Sequence, residues 1–269
     1  MPKITALVHT YNSERHLDRV LEALKVFDEI FVVDMESTDS TVEIARRHGA
    51  RVVIKERGEH RLSEAYRNYA LQAATYDWVL VVDSDEIVPA ALARYLYDEI
   101  NRDPSPRAFL FPIKNYFMGK WMHAYYPDYI LRFLNRNGAD WPYAVHSRPT
   151  HQGPVVKIPA SRTDLAFIHL ANESVSETIT KMNRYTDLEV SRRSKSYKRW
   201  RLLYEPGYRF FKSYVLKGGF RDGMPGFIHA VHDGIYRFYA LAKIEEKRQA
   251  AKPVKEIEQD IERLKDDKN

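Results

Sequence analysis

The chain has 269 residues, 44% of them apolar, and a formal net charge of +5, which fits one large globular domain or a domain with an appendage and excludes wholesale disorder. It contains no cysteine, so disulfides, zinc–thiolate sites, iron–sulfur clusters and cysteine nucleophiles are excluded. No window reaches the roughly 18 apolar residues of a spanning helix, and "MPKITALVHTYNSERHL" lacks the apolar stretch of a signal peptide, so the expected location is cytoplasmic, with peripheral contact on the inner face of the cytoplasmic membrane.

Along the first half, short β-rich runs alternate with helical patterns. Strands are predicted at 4–9, 29–34, 50–55 and 78–82, and helices at 13–27, 40–49, 62–74 and from Pro89 to about 101. In the first helix Leu17, Val20, Leu21 and Leu24 share one face. Ser40 and Glu43 fit a capping box, and Gly49 stands where a helix should stop. This order implies an α/β fold, a Rossmann-like, mostly parallel sheet flanked by helices. After Pro104 two further strands are expected, in "RAFLFPIKNYF" and "DYILRFLNR", with the aromatic stretch 116–129 between them as a loop. A helix is predicted from Ser174, with Glu177 completing a second capping box, to about Ser194, and another over 232–250. Between them, residues 192–221 carry ten Lys or Arg, eight aromatics and a single acid, Glu205, a composition attracted to anionic surfaces. The expected organisation is a catalytic domain over 1–170 and a helical basic-aromatic extension over 171–269 that lies on a membrane or completes an acceptor site.

The run "WVLVVDSDE" (78–86) ends an apolar strand with three acids. Residues two apart on a strand point to one side, so Asp83 and Asp85 are expected to face the same way at the carboxyl end of a parallel sheet, where such folds place ligands. Two adjacent carboxylates repel unless a positive charge stands between them, and a magnesium or manganese ion bridging to phosphate oxygens would supply it. The alternative is a solvated turn ahead of the Pro89 helix. Competing chemistries lack their partners: there is no G-x-x-x-x-G-K-[ST] for a P-loop, no G-x-G-x-x-G after the first strand, and Ile87 stands where a D-x-D-x-T phosphatase needs threonine.

"ALVHTYNSERHLDRVLEAL", "VVDMESTDSTVEIA", "YRNYAL" and "VVDSDE" together resemble, in order and spacing, the family-2 inverting glycosyltransferases of GT-A fold. The downstream stretches "YYPDYILRFLNR", "VHSRP", "IHLANESVSETITKMNRYTDLE" and "YVLKGGFRDGMPGFIHAV" resemble the bacterial branch that includes lipopolysaccharide core β-glucosyltransferases. The resemblance implies that Thr10, Tyr11 and Asn12 contact the nucleotide, that Asp34 reads the base or ribose, and that Arg67 approaches the diphosphate. It makes Asp83 a ribose or metal contact and Asp85 the principal metal ligand, with His146 completing the metal site or touching a phosphate. Met35 and Ser147 depart from the family pattern, which often has acids there. Asp39 reads more readily as a cap of the helix at 40–49 than as a donor contact. An inverting transfer needs a base for the acceptor hydroxyl; Asp128 is favoured over Asp140 and Glu173, although a turn acid after Pro127 is an equal reading of it, and His169 reads as structural.

The expected activity is transfer of a sugar from a nucleoside diphosphate sugar, a UDP-sugar favoured, to a saccharide or glycolipid in cell-surface polysaccharide or lipopolysaccharide core synthesis, with a divalent metal, Mg2+ or Mn2+. An anionic membrane surface is an expected partner and nucleic acid is not. The alternatives are a nucleotidylyltransferase, which would carry a glycine-rich loop where this chain has "HTYNSE", and a non-catalytic membrane- or nucleic-acid-binding adaptor.

Overall fold

The computed structural model describes residues 1–56, 64–142, 148–172, 174–193 and 198–250. All seven residues of β1 (Ile4–Thr10) are buried, the mark of a strand covered on both faces. There follow α1 (Glu14–Leu24), β2 (Glu29–Asp34), α2 (Thr41–Arg47), β3 (Arg51–Ile54), α3 (Glu64–Ala73), β4 (Trp78–Asp83), β5 (Glu86–Ile87) and α4 (Ala90–Arg102). Strands β3, β2, β1 and β4 lie side by side and parallel, with Thr5 opposite both Glu29 and Val79. Helices α1, α2 and α4 press Leu17, Ile44 and Leu96 onto one face, and α3 presses Ala70 and Leu71 onto the other. The βα order read from hydrophobic periodicity is therefore the order of the fold.

Beyond β4 the sheet changes sense. The later strands are β6 (Ala108–Phe117), β7 (Lys120–Trp121), β8 (Asp128–Asn135), β9 (Val155–Lys157) and β10 (Phe167–Asn172). The full order is β3-β2-β1-β4-β8-β6-β10-β5, with β7 and β9 on β6. Strand β8 runs antiparallel to both β4 and β6, and β10 antiparallel to β5, so the sheet is mixed, its parallel character concentrated in the first half. The seam between the two halves is aromatic: Trp78 stacks on Phe133 at 5.1 Å and meets Phe109 edge-on at 6.4 Å, a geometry that adds to simple area burial.

Two expectations need correction. The stretch 116–129 is not merely a loop: Phe117 ends β6, Met118 and Gly119 turn at φ 50° and 73°, and β7 follows. Phe117 and Met122 are each 1% exposed, so the aromatic richness of this stretch partly serves packing. The Ser40 capping box does not form, since the Ser40 side chain makes no cap hydrogen bond. Asp39 caps instead: one carboxylate oxygen accepts the Thr41 amide at 3.0 Å and the Thr41 hydroxyl at 2.5 Å, and the other accepts the Glu14 amide at 3.2 Å. One side chain thus holds the N-termini of both α1 and α2.

Two compact units divide at Glu173 and Ser174. In the second, α5 (Val175–Arg193) starts with the Ser174 hydroxyl accepting the Glu177 amide at 3.1 Å. Then come α6 (Arg201–Phe211), which contains Pro206, a π-helical turn over Lys212–Leu216, a 3₁₀ turn over Gly219–Asp222, and α7 (Gly223–Ala250). Its packing includes ionic contacts, one buried at Arg237 and one nearer the surface at Lys243. Arg237 donates to Glu189 at 2.8 Å and to Glu205, and Lys243 donates to Asp187, Thr186 and Asn183 at 2.6–3.0 Å. The small apolar cluster is Val190, Leu241 and Ile244 with Leu202 against it.

Candidate active site

The carboxyl ends of β1, β2 and β4 meet at one rim of the first unit. There Thr10 is 1% exposed and its hydroxyl donates to Asp34 at 2.7 Å. Asp34, fully buried, also accepts the Ser37 hydroxyl at 2.6 Å and the Ser37 amide at 2.8 Å. Asn12 stands at φ 47°, its amide donating to Ser37 at 2.8 Å and its side-chain oxygen accepting the Thr38 amide at 2.9 Å. A side chain at positive φ is uncommon, and these two bonds hold it there. Thr10, Asn12 and Asp34 therefore form one braced corner, with Tyr11 half-buried between them. The Ser13 hydroxyl donates to Ser84 at 2.9 Å, joining this corner to the loop after β4.

That loop carries the acids. Strand β4 stops at Asp83, and Ser84 and Asp85 form a turn before β5, so strand alternation does not extend to Asp85 and the two carboxylates take different partners. Arg132, 4% exposed on β8, donates to Asp83 and, at 2.7 Å, to Glu86, which is 2% exposed. The Asp83 amide closes the group by donating to Glu86 at 3.0 Å. One guanidinium thus serves two acids. Burial opposes the ionised form of Asp83, but Arg132 and then Arg67 outweigh it and lower its pKa. Burial dominates for Glu86 and, with Asp83 adding to it against Arg132, raises its pKa.

Asp85 belongs to a second chain of contacts. His169 Nε2 lies 3.6 Å from the Asp85 carboxylate, and His169 Nδ1 shares a 2.7 Å hydrogen bond with the side-chain oxygen of Asn115. The Asn115 amide donates to Asp128 at 3.4 Å. Burial disfavours the charged imidazole of His169, but Asp85 and the acids behind it prevail, so its pKa is raised. Asp85, His169, Asn115 and Asp128 thus run in series from the turn after β4 to the start of β8. Asp128 itself is exposed.

Arg67 on α3 lies 5.1 Å from the Trp141 ring, and its charge reaches Asp83 and His9. Its neighbour Asn68 accepts the Trp141 amide at 3.1 Å. Asp140 is exposed and tied through its backbone to Thr150. His146, Ser147 and Glu173 lie outside the described residues. Sequence reading missed Arg132, although a lone arginine in the apolar run "YILRFL" is a signal for a buried counter-ion. It also set His169 aside as structural, because the register that puts His169 opposite Glu86 exists only once β10 pairs β5.

A parallel half-sheet, an antiparallel strand inserted beside β4, and acids at the carboxyl rim make a GT-A-like fold. The chain belongs to the family described as glycosyl transferase family 2, whose model matches residues 5–155, and it is a glycosyltransferase. An uncharacterized glycosyltransferase of Rickettsia felis is 28% identical over 272 residues, covering 94% of this chain and 93% of that one. The lipopolysaccharide core biosynthesis glycosyltransferase LpsC of Rhizobium meliloti is 26% identical over 258 residues, covering 91% and 93%. Among solved structures, the mannosyltransferase PcManGT from Pyrobaculum calidifontis, in complex with GDP-Man and Mn2+, superposes with a TM-score of 0.51 at 16% identity, covering 90% of this chain and 87% of that one. That likeness is one of fold.

Proposed function

We propose that the protein transfers a sugar, with inversion, from a nucleoside diphosphate sugar, a UDP-sugar favoured, to a hydroxyl of a saccharide or glycolipid in lipopolysaccharide core or related cell-surface synthesis. The observation that carries this reading is the Asp85–His169–Asn115–Asp128 series beside the Arg132-neutralised Asp83. It sets a carboxylate suited to a cation at one end and a carboxylate suited to a proton at the other. The full-length likeness to LpsC supports the core-synthesis assignment, and the GDP-Man and Mn2+ held by PcManGT support a nucleotide-sugar donor with a divalent metal.

Among the described residues no three His, Asp or Glu side chains converge on a preformed cation site, so a cation here would take its remaining ligands from the donor: carboxylate oxygens with phosphate oxygens are what Mg2+ and Mn2+ prefer. Asp85 would hold the ion, His146 is the second ligand the sequence implies, and Asp83 would face the ribose or the ion. When bound, the cation supplies charge neutralisation for the departing diphosphate. The chain's own groups do the rest. Tyr11 offers a ring face for the base, beside the corner braced by Thr10, Asn12 and Asp34. Arg67 offers a charge-assisted bond to the diphosphate. Asp128 takes the proton from the acceptor hydroxyl as its oxygen bonds to the anomeric carbon, while the bond from that carbon to the diphosphate oxygen breaks on the opposite face.

The test is a thermal-shift panel of UDP- and GDP-sugars with and without Mn2+, because a ligand bound only by the native state raises the melting temperature. Stabilisation by one donor class, dependent on the metal and lost in Asp85→Asn, is the expected result. A panel in which no donor shifts the protein overturns the assignment.

A further inference from the structure

The unit that begins at Ser174 buries charged side chains and leaves large apolar ones exposed. Its buried residues include Arg237 at 4%, Glu205 at 8% and Asp222 at 0% exposed, while Trp200 is 58%, Leu216 63%, Met224 67% and Leu203 87% exposed. The exposed apolar side chains are ordered. Trp200, Tyr204, Tyr208, Phe211 and Val215, all exposed, follow one another at intervals of four, four, three and four residues, which is a single stripe along a helix. On α7, Met224, Phe227, Ile235 and Phe238 form a second exposed stripe with Val231 filling the interval. Between the helices lies an apolar groove of about 380 Å³, lined in part by Pro206, Phe210, Ile235 and Phe238. Gly234 sets its floor, since a Cβ there would stand 3.0 Å from the Pro206 carbonyl oxygen.

Charge says what covers these stripes. Residues 206–221 hold four bases, Arg209, Lys212, Lys217 and Arg221, and no acid. Three of the four, Arg209, Lys217 and Arg221, are exposed. An exposed apolar area of this extent marks a binding surface, and a basic rim around it matches an anionic one. A second copy of the chain fits poorly, because a two-fold interface would set the same basic run against itself. We propose that α6, its π-helical continuation and the first half of α7 form an interfacial membrane-binding face. Its two stripes enter the headgroup and acyl boundary of an anionic bilayer, its bases lie among the headgroups, and the groove at Gly234 takes one hydrocarbon chain. The binding itself stands on this unit alone. That it presents a glycolipid acceptor to the transferase rests on the function proposed above.

The experiment is co-sedimentation of the full chain with vesicles of phosphatidylcholine alone and of phosphatidylcholine mixed with phosphatidylglycerol, at low and high salt. The expected result is binding to the anionic vesicles that weakens with salt. It should fall at least roughly tenfold in Trp200→Glu/Met224→Glu, one residue from each stripe, since burying even one such side chain is worth that factor, while melting temperature and donor-induced shift stay unchanged. Arg209→Ser/Lys217→Ser should abolish the preference for anionic vesicles. Wild-type protein left in the supernatant with anionic vesicles overturns the inference. So does a dimer in analytical ultracentrifugation that Trp200→Glu/Met224→Glu dissociates. Asp85→Asn separates the two proposals: it should keep vesicle binding. A chain that binds vesicles but no donor defeats only the transferase assignment, and one that binds donor but no vesicle defeats only this surface.

Discussion

His9 lies on β1 directly across from Asp83 of β4, buried, with its Nε2 lacking a hydrogen-bond partner. Burial, then the positive charge of Arg67, lowers its pKa from 6.5 to about 4 against the opposing pull of Asp83. The folded value is below the unfolded one, so the unfolded chain takes up this proton first. Stability is untouched above about pH 6.5 and declines as the pH falls towards 4, by roughly 3 kcal/mol for this one group. Urea unfolding of chelator-treated protein at pH 7 and pH 4 should show that share of the acid loss disappearing in His9→Gln. Arg132 offers a second residue-scale test. Removing it leaves Glu86, 2% exposed, without its counter-charge, so Arg132→Met should cost about 3–5 kcal/mol. The double variant Arg132→Met/Glu86→Leu should regain part of that loss in the same urea titration, because the Glu86 charge goes with its partner while Asp83 still lacks its own. At this scale the sequence placed Asp83 and Asp85 at the end of β4, where they stand, but not the turn that parts them. It was not legible where the role is conferred by a partner distant in the chain, as with Arg132 and Asp83 or His169 and Asp85.

Helix ends and helix crossings carry the element-scale consequences. Asp39 caps α2 and also receives the first amide of α1, whereas Ser40 makes no cap bond. Asp39→Ala should therefore cost about 1–2 kcal/mol, and Ser40→Ala only a few tenths, read as a difference in urea midpoints. The capping-box pattern failed here because Asp39 stands one residue earlier with a carboxylate that reaches both helices. In the second unit Gly226 of α7 lies against the 3₁₀ turn, and a Cβ on it would stand 2.0 Å from the Gly219 carbonyl oxygen. Backbone cannot yield as a flexible side chain does, so Gly226→Ala should displace α7 from that turn and cost more than 1 kcal/mol, measured by thermal unfolding. Elements with strong periodicity, such as α1 and β4, were readable to within a few residues. The hairpin of β6 and β7 was hidden because its aromatics fit a sugar-facing loop and a packed strand equally well, and only pairing decides between them.

At the scale of the whole molecule, the parallel β3-β2-β1-β4 half follows from strand and helix alternation, but the antiparallel entry of β8 between β4 and β6 leaves no local trace. It depends on which edge of β4 is open when β8 arrives. The character of the second unit was half visible: the basic-aromatic composition of 192–221 could be read directly, while the burial of Arg237 and Glu205 could not. Strand β1 has one more consequence, which concerns time. It pairs with β2 nearby, yet its other edge waits for β4, Ile4 meeting Trp78 and His9 meeting Asp83. Pairings this far apart in sequence form late and slow the search for the native state. During synthesis β1 therefore offers an apolar, unpaired edge until β4 has left the ribosome. Refolding from denaturant should be slow for the chain's size and prone to aggregate at high concentration, and a chaperone that shields exposed strand edges should raise its yield.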